Sequence, residues 1–371
     1  MAIAERGQRP PLFIIASDGE LRREHLDRPL GDLSTFVAEE MPFWVSSIRR
    51  GESEVGRLRN HVEFLLSSMT PQQRDASLYD PRSQRLALAD LMFARNAIGN
   101  SHGTPGSNLL DLTEKHAQRL HRPATLTYED SVIINPRRDR RTFTDGTMGL
   151  TEADFYETHN REEDDNDQII YLYTAAIDAL ASRGRDAEAD AVALLKEAVP
   201  FERNTINDMR AVGMNMNPKD FAIIREYFKG YSPDKTQRLF GASGAFSATP
   251  QIIYMLLTGW LHEKTAEYLE RFIEYFPSGT QSEIADAIVR CREGLTLSAV
   301  EARLGSPPLL HRAVRAAKRH QLALLQNHKK AIATQIRGAL EGKVQGTGGF
   351  GSVTEFVDIK IIPLKQELAA A

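Results

Sequence analysis

Residues 309–340 read LLHRAVRAAKRHQLALLQNHKKAIATQIRGAL, and this stretch decides the fold class. Its aliphatic residues recur every three or four positions, which is the period of one face of an α-helix. Strong helix formers fill most of the positions between them. The stretch therefore predicts a long amphipathic helix. Similar patterns predict seven further helices, over residues 58–69, 85–97, 109–120, 168–181, 186–198, 220–228 and 251–276.

Patterns typical of β-strands are almost absent from the chain, and residues 352–362 are the best candidate for a strand. We find no internal repeat. The sequence therefore predicts an all-α fold. A Gly-, Pro- and Ser-rich break at residues 101–107 follows the first helices and indicates a domain boundary. We expect a small N-terminal helical domain over residues 1–107, to which we assign no role, and a larger helical domain over residues 108–371.

Composition excludes several classes of protein. The net charge of the 371-residue chain is −4 and its basic residues are scattered, which argues against a nucleic-acid partner. The longest apolar stretch, around residues 252–260, is less than half of the ~20 residues that a membrane helix needs. No basic n-region followed by an apolar h-region opens the chain, so we do not expect it to be exported. A single cysteine, Cys291, excludes an internal disulfide framework, a cysteine-rich zinc site and an iron–sulfur cluster. We expect a soluble, cytoplasmic protein with no membrane partner.

A glycine-rich loop, GTGGFGSV at residues 346–353, matches the protein-kinase pattern G-x-G-x-x-G-x-V. Only eighteen residues follow Val353, so the kinase elements that come after this loop cannot follow, and neither can a Rossmann βαβ unit. Two interpretations stay open. The loop can bring bare backbone N–H groups and the Thr347 hydroxyl close to a ligand, or it can be a plain flexible connection.

The acidic run at residues 162–167 lacks the alternating ligands, the central glycine and the closing glutamate of an EF-hand calcium loop. Acidic residues suit the N-terminus of a helix, where they face the positive end of the helix dipole. We therefore interpret the run as the solvated start of a helix at Gln168.

One histidine lies in the apolar stripe of the 309–340 helix. Five residues recur there at every fourth position: Leu324, His328, Ile332, Ile336 and Leu340. His328 is either a hydrogen-bonded core residue or the ligand of a haem, because a haem needs an aliphatic wall and one neutral imidazole. His320 is the rival candidate. The chain has no HExxH zinc motif, but an iron site assembled from two distant histidines and a carboxylate stays possible.

The histidine helix followed by GTGG resembles the haem-dependent dioxygenases that open the indole ring of tryptophan. In tryptophan 2,3-dioxygenases the helix reads approximately H-x-x-x-V-x-R-x-I/L-G before GTGG. Residues 328–338 are similar, with Ile332 at the valine position, whereas Thr334 replaces the arginine. His328 precedes Gly346 by eighteen residues, a spacing that resembles that of the related pyrrolnitrin-pathway enzyme. The resemblance favours His328 over His320.

Four further segments resemble the indoleamine 2,3-dioxygenases, in the order that the family has them. LTYEDSVIIN at residues 126–135 is similar to LVYADCVLANW, and NPKDFAIIR at residues 217–225 is similar to NPKAFFSVLR. GASGAFS at residues 241–247 resembles GGSAGQSS, and YMLLTG at residues 254–259 resembles FDVLLG. The resemblance thus covers roughly residues 108–362 and implies that the larger domain is a haem-binding catalytic domain.

The resemblance also implies a set of site residues. His328 would be the proximal ligand of the iron of haem b (iron protoporphyrin IX). Arg225 would pair with the substrate carboxylate, as a guanidinium can do in bidentate fashion. The remaining substrate-binding residues would be Thr347, Gly348 and Phe221, and the distal pocket would contain Ser243, Thr174 and Tyr171. The resemblance implies no catalytic acid or base.

The function implied is that of a haem-dependent dioxygenase, which inserts O₂ into an indole or another aromatic, amino-acid-like substrate. Its partners would be that substrate and O₂, in a monomer or a homo-oligomer. The paired phenylalanines of the family become Asp220-Phe221 here, which leaves the exact substrate open. The alternatives are a haem monooxygenase, a peroxygenase, a ring-rearranging enzyme of secondary metabolism, a non-catalytic haem sensor and a helical scaffold without cofactor.

Overall fold

The computed structural model describes residues 28–75, 78–137, 139–182, 184–231, 241, 247–276, 280–336 and 354–370. Every regular element in these ranges is helical, so the predicted all-α fold class is confirmed. None of the described helices is both long and apolar enough to span a membrane.

From residue 28 to residue 119 the described residues form six helices: α1 (Asp32–Thr35), α2 (Met41–Arg49), α3 (Val55–Ser68), α4 (Pro71–Arg74), α5 (Pro81–Asn100) and α6 (Ser107–Arg119). The Asp80 side chain accepts hydrogen bonds from the first backbone N–H groups of α5, and Pro81 occupies the first turn, where its missing N–H costs nothing. Helix α5 is buried on almost all sides and forms the centre of this part of the molecule.

Two π-helical turns interrupt the regular pattern, at Phe36–Glu40 and at Glu129–Ile133. The second turn is buried. Tyr128 precedes it, and inside it the Glu129 carboxylate forms ion pairs with Arg85 and Arg122. Asn135, which follows the turn, donates to the backbone carbonyls of Ser131 and Arg141, at 2.9 Å each. These bonds fix both ends of the segment.

The described part of the chain after the second π-helical turn forms nine helices: α7 (Gly146–Ser182), α8 (Ala187–Asn215), α9 (Pro218–Tyr227), α10 (Thr249–Thr258), α11 (Glu263–Arg271), α12 (Gln281–Glu293), α13 (Leu297–Arg303), α14 (Pro308–Gln335) and α15 (Glu355–Ala370). Long helices α7 and α8 form a hairpin, and α14 packs along α8. Helices α10 and α15 complete the group by packing on α7 and α14 respectively. This arrangement leaves a space between α7, α8, α10, α14 and α15.

One hydrophobic cluster extends from Leu30 to Ala317 and includes residues from both sides of the expected boundary after residue 107. Phe93 of α5, for example, contacts Phe143 with ring centroids 4.8 Å apart, and Phe143 stacks on Tyr227 of α9. The two-domain division stays a prediction, and in the described residues the N-terminal helices share their core with the rest.

A buried ion pair holds the loop before α7 to α5. The Arg141 guanidinium donates to the Asp90 carboxylate through Nε at 2.8 Å and Nη2 at 3.3 Å, and neither side chain is exposed. The Ser34 hydroxyl donates to the same carboxylate at 2.5 Å. The Arg141 backbone N–H donates to Asn135 at 2.7 Å. We call these four residues the Asp90–Arg141 network.

Glu152, in the first turns of α7, fastens the end of the same loop. Its carboxylate accepts hydrogen bonds from the backbone N–H groups of Phe143 and Thr144, at 2.8 and 3.0 Å. It also accepts from the hydroxyls of Thr144 and Tyr156, at 2.7 and 2.8 Å. Burial nevertheless raises the pKa of Glu152 to about 7.

Two expectations about secondary structure are wrong. The strand expected over 352–362 is not present in its described part, because α15 begins at Glu355 and places Val357, Ile361 and Leu364 at helical spacing in one apolar cluster with α14. Residues 251–276 are not one helix either. Gly259 adopts a φ of +70°, which ends α10, and α11 begins only at Glu263.

Candidate functional site

A cavity lies between α7, α8, α10, α14 and α15, with about 590 Å³ of space that no protein atom fills, part of it open to solvent. Aliphatic residues form much of its wall: Met209, Pro250, Leu324, Leu325 and Val357. The polar residues that face it are Tyr128, His159, Glu162, Ser247, Gln251, His328 and Lys360.

His328 lines this cavity from α14, with Leu324 one turn before it on the same wall. Neither ring nitrogen has a hydrogen-bond partner among the described residues. Burial, with smaller contributions from His159 and Lys360, lowers the pKa of His328 to about 4. The imidazole is therefore neutral at ordinary pH, which is the form that binds a metal.

His320, the rival candidate, is hydrogen-bonded elsewhere. Its Nδ1 contacts the Glu202 carboxylate of α8, and the Tyr173 hydroxyl of α7 donates to the same carboxylate at 2.5 Å. His320 thus joins three helices and does not line the cavity. The contrast between the two histidines favours His328 as the ligand.

A second histidine, His159 of α7, also lines the cavity. Its Nδ1 lies 2.8 Å from the backbone carbonyl oxygen of Phe155, which can only accept a hydrogen bond, so Nδ1 carries the proton. Burial lowers the pKa of this ring and keeps it neutral. Nε2 is therefore left as a hydrogen-bond acceptor.

Glu163 of α7 is buried beside the cavity and is well supplied with donors. It accepts hydrogen bonds from the hydroxyls of Tyr128 and Thr249, at 3.0 and 2.8 Å, and from that of Ser247. Asn166 donates to the Thr249 hydroxyl at 3.1 Å. This network ties α7 to the segment before the π-helical turn and to the start of α10.

Glu162, the next residue, faces the cavity instead. Its side chain is buried, with 6% exposed, and no hydrogen-bond donor reaches its carboxyl among the described residues. Burial raises the pKa of Glu162 well above its usual range, and the nearby carboxylates of Glu163, Asp208 and Asp165 raise it further.

The interpretation of residues 162–167 as a solvated helix start is wrong, because α7 begins at Gly146 and runs through them.

Lys360 of α15 is a basic residue that lines the cavity. It is buried, with 3% of its surface exposed, and its Nζ donates to the Gln251 side chain of α10. Burial lowers the pKa of Lys360 well below its ordinary value. The Lys360–Gln251 contact links α10 and α15 at the edge of the site.

Arg225 and Phe221 both lie on α9, outside the lining of the cavity. The ring of Phe155 lies between Phe221 and the cavity residue His159. The Phe221 ring contacts Phe155 at 5.7 Å between centroids, and Phe155 packs on His159 at 4.1 Å. Arg225 is partly buried, and burial lowers its pKa. Its pairing with a substrate carboxylate stays a prediction.

Tyr171 does not lie in the cavity, since 68% of it is exposed on the outer face of α7. Its spacing from the cavity residues of α7 turns it away from them, and the expectation that it lines a distal pocket is corrected. Thr174 is partly buried and is likewise absent from the cavity lining. Ser243, Thr347 and Gly348, and with them the GTGG loop, lie outside the described residues.

Sequence reasoning missed His159, Glu162 and Glu163 because it treated the acidic run as a helix start. A usable signal was present. Glu152, Tyr156, His159, Glu163 and Asn166 follow one another at steps of three or four, so the helical period continues through the run. Polar residues on such a stripe are typical of a helix that faces a site. For Lys360 the strand interpretation concealed the helical pattern.

No protein-family model matches this chain, and no curated protein matches it either. No three histidine, cysteine or acidic side chains within the described ranges lie close enough together to hold a metal ion. A site of two histidines and one carboxylate therefore has no support from these residues. A haem needs only one ligand from the protein.

Proposed function

We propose that this protein is a haem-dependent oxygenase that acts on a small aromatic, amino-acid-like substrate. One observation carries the proposal: His328 lines a cavity whose wall is partly aliphatic, and neither of its ring nitrogens has a hydrogen-bond partner among the described residues. A ligand on His328 would supply the partner that these residues do not. The neutral imidazole and the apolar wall fit haem b, whose iron takes a histidine ligand.

When bound, the haem would supply an iron that takes up and activates dioxygen. His328 would hold this group from α14, while Leu324, Leu325 and Met209 exclude water. His159 Nε2 would accept a hydrogen bond from an N–H of the substrate and so orient its ring. The Glu163 network would keep α7 in register with α10, which maintains the position of His159. In this proposal no side chain acts as a catalytic acid or base.

The first test is the absorption spectrum of the protein purified from haem-supplemented cells. We expect a strong Soret band that is lost or shifted in His328→Ala, with haem content reduced by at least about tenfold. Added imidazole should restore the band in His328→Gly, because it replaces the missing ligand. Folding of both variants is checked by circular dichroism.

His320→Ala is the matched control, since it removes a histidine two turns earlier on the same helix. It should keep the Soret band and lose some thermal stability, because Glu202 loses a hydrogen bond. A wild-type protein without a Soret band would contradict the haem assignment. Equal loss of the band in the two alanine variants would contradict the choice of His328.

Turnover with isotopically labelled dioxygen tests the type of reaction. A dioxygenase places both labelled atoms in a ring-opened product, whereas a monooxygenase places one and a rearrangement places none. We expect both atoms. Aromatic amino acids and their analogues are the substrates to screen, with a shift of the Soret band as the sign of binding.

A further inference from the structure

The Glu162 carboxyl differs from every other acid described above in its surroundings. Glu152 accepts four hydrogen bonds and Glu163 accepts three, whereas no described donor reaches Glu162. The side chain is more than nine-tenths buried and its open side is the cavity. Buried carboxyls nearly always have partners, so a partner that enters the cavity is the simplest completion.

The charges around Glu162 define the partner that would suit it. The charged groups that act most strongly on Glu162 are the carboxylates of Glu163, Asp165 and Asp208. Arg161, the cation next to them on α7, is already paired with Asp208 at 3.1 Å. His159, on the same helix, and His328, across the cavity, are neutral. This environment repels an anion and favours a group that is both a hydrogen-bond donor and a cation.

Lys360 is not that partner in the described structure. It lines the same cavity, but its Nζ donates to Gln251, and Lys360 is not among the charges that affect the pKa of Glu162. The cavity therefore has a carboxyl without a donor on α7 and an amine on α15. A ligand that carries its own ammonium group can pair with the first and leave the second in place.

We propose that Glu162 receives the protonated amino group of the ligand, so that this cavity selects aromatic amines and amino acids over analogues without the amine. The aromatic part of the ligand rests on the proposed function, and the amine does not. An ammonium donates to the carboxylate in a charge-assisted hydrogen bond. A ligand without the amine leaves the buried carboxyl unpaired, and such mismatches discriminate strongly between ligands.

Calorimetric titration of the full-length protein, as purified from haem-supplemented cells, with tryptamine, tryptophan and indole-3-propionate tests this inference. Tryptamine keeps the amine without the carboxylate, and indole-3-propionate keeps the carboxylate without the amine. We expect wild type to bind the two amines at least about tenfold more tightly than indole-3-propionate. Glu162→Gln should abolish this preference by weakening amine binding, with little effect on indole-3-propionate.

Asp154→Asn is the matched control, because it removes an exposed acid from the same helix. It should keep the full preference for amines. The glutamine variant should also melt at or above the temperature of wild type, since the Glu162 carboxyl has no hydrogen bond to lose and its burial is costly. Loss of amine binding then reports on the site and not on unfolding.

Two results would overturn the inference: equal binding of amine and non-amine ligands by wild type, or a preference for amines that survives in Glu162→Gln. Both are distinct from failure of the oxygenase proposal. A Glu162-dependent preference in a protein without a Soret band would remove the oxygenase and keep the amine site. A Soret band without any preference for amines would do the reverse.

Discussion

The Asp90–Arg141 network and the cavity are both buried polar regions of one helical protein, and they differ in how completely their groups are paired. In the network the Asp90 carboxylate meets two guanidinium nitrogens and a hydroxyl. In the cavity, His328 and Glu162 face open space without a described partner. Burial alone therefore does not distinguish a structural polar residue from a ligand-binding one. The state of its hydrogen bonds does.

The largest effect is expected from breaking the paired region. Asp90→Ala leaves the Arg141 guanidinium buried without its carboxylate, which should lower the free energy of unfolding by about 3–5 kcal/mol. Urea denaturation measures this change. Asp111→Ala, which removes an exposed pair with Lys115, is the control and should change little. A small loss in Asp90→Ala would show that burial of the pair contributes little to stability.

A somewhat smaller effect concerns pH and Glu152. Burial raises its pKa from about 4.5 to about 7, so the folded protein binds this proton more tightly than the unfolded chain does. The contribution of Glu152 to stability therefore decreases as the pH rises through this window, and above it stays constant. At about 1.4 kcal/mol for each pKa unit, the decrease amounts to roughly 3 kcal/mol.

Denaturation of wild type and Glu152→Gln at several pH values measures this dependence, because the variant lacks the titrating group. The unfolding free energy of wild type minus that of Glu152→Gln should fall by roughly 3 kcal/mol as the pH rises from about 4.5 to about 7. A signed difference that stays constant or rises over this window would show that the four hydrogen bonds outweigh the effect of burial.

The smallest effect compares two neighbours within the cavity. Glu163→Gln disturbs an acceptor of three hydroxyl groups and should cost about 1–3 kcal/mol. Glu162→Gln changes a carboxyl without a donor and should cost nothing. Thermal unfolding of the two variants side by side tests the distinction directly. If the two variants lose the same stability, the number of hydrogen bonds that a buried acid accepts does not distinguish a structural acid from a ligand-binding one.

The helical fold could be predicted from the sequence because apolar spacing determines which segments are helices. Helix α14 with His328 was the best defined, whereas α7 was expected only from Gln168 and begins at Gly146. Two other helices were misjudged where a local pattern was ambiguous: the alternation at residues 352–362 is short, and Gly259 interrupts an apolar run. A short apolar pattern can fit either a strand or a helix, and contacts with the rest of the protein decide which of the two forms.

The candidate site was predicted only in part. His328 lies on the cavity, one of the two positions that the helix stripe left open, whereas His159 and Lys360, which line the same cavity, come from helices far away in sequence. The hydrogen bond between His320 and Glu202, which separates the two candidate histidines, joins residues of different helices. Such contacts depend on how the helices pack against one another, so the spacing of residues within a single helix does not predict them.

The π-helical turn at Glu129–Ile133 lies between Tyr128, which donates to Glu163 beside the cavity, and Asn135, which holds the Asp90–Arg141 network. A π-turn contains one residue more than an α-turn, and one residue corresponds to about 100° of rotation around a helix. Deleting a residue here would rotate the two ends relative to each other, so that either the tyrosine or the asparagine loses its contact. The extra residue of the π-turn thus sets the rotation between Tyr128 at the cavity and Asn135 at the Asp90–Arg141 network. A change of one residue in its length would break one of the two contacts.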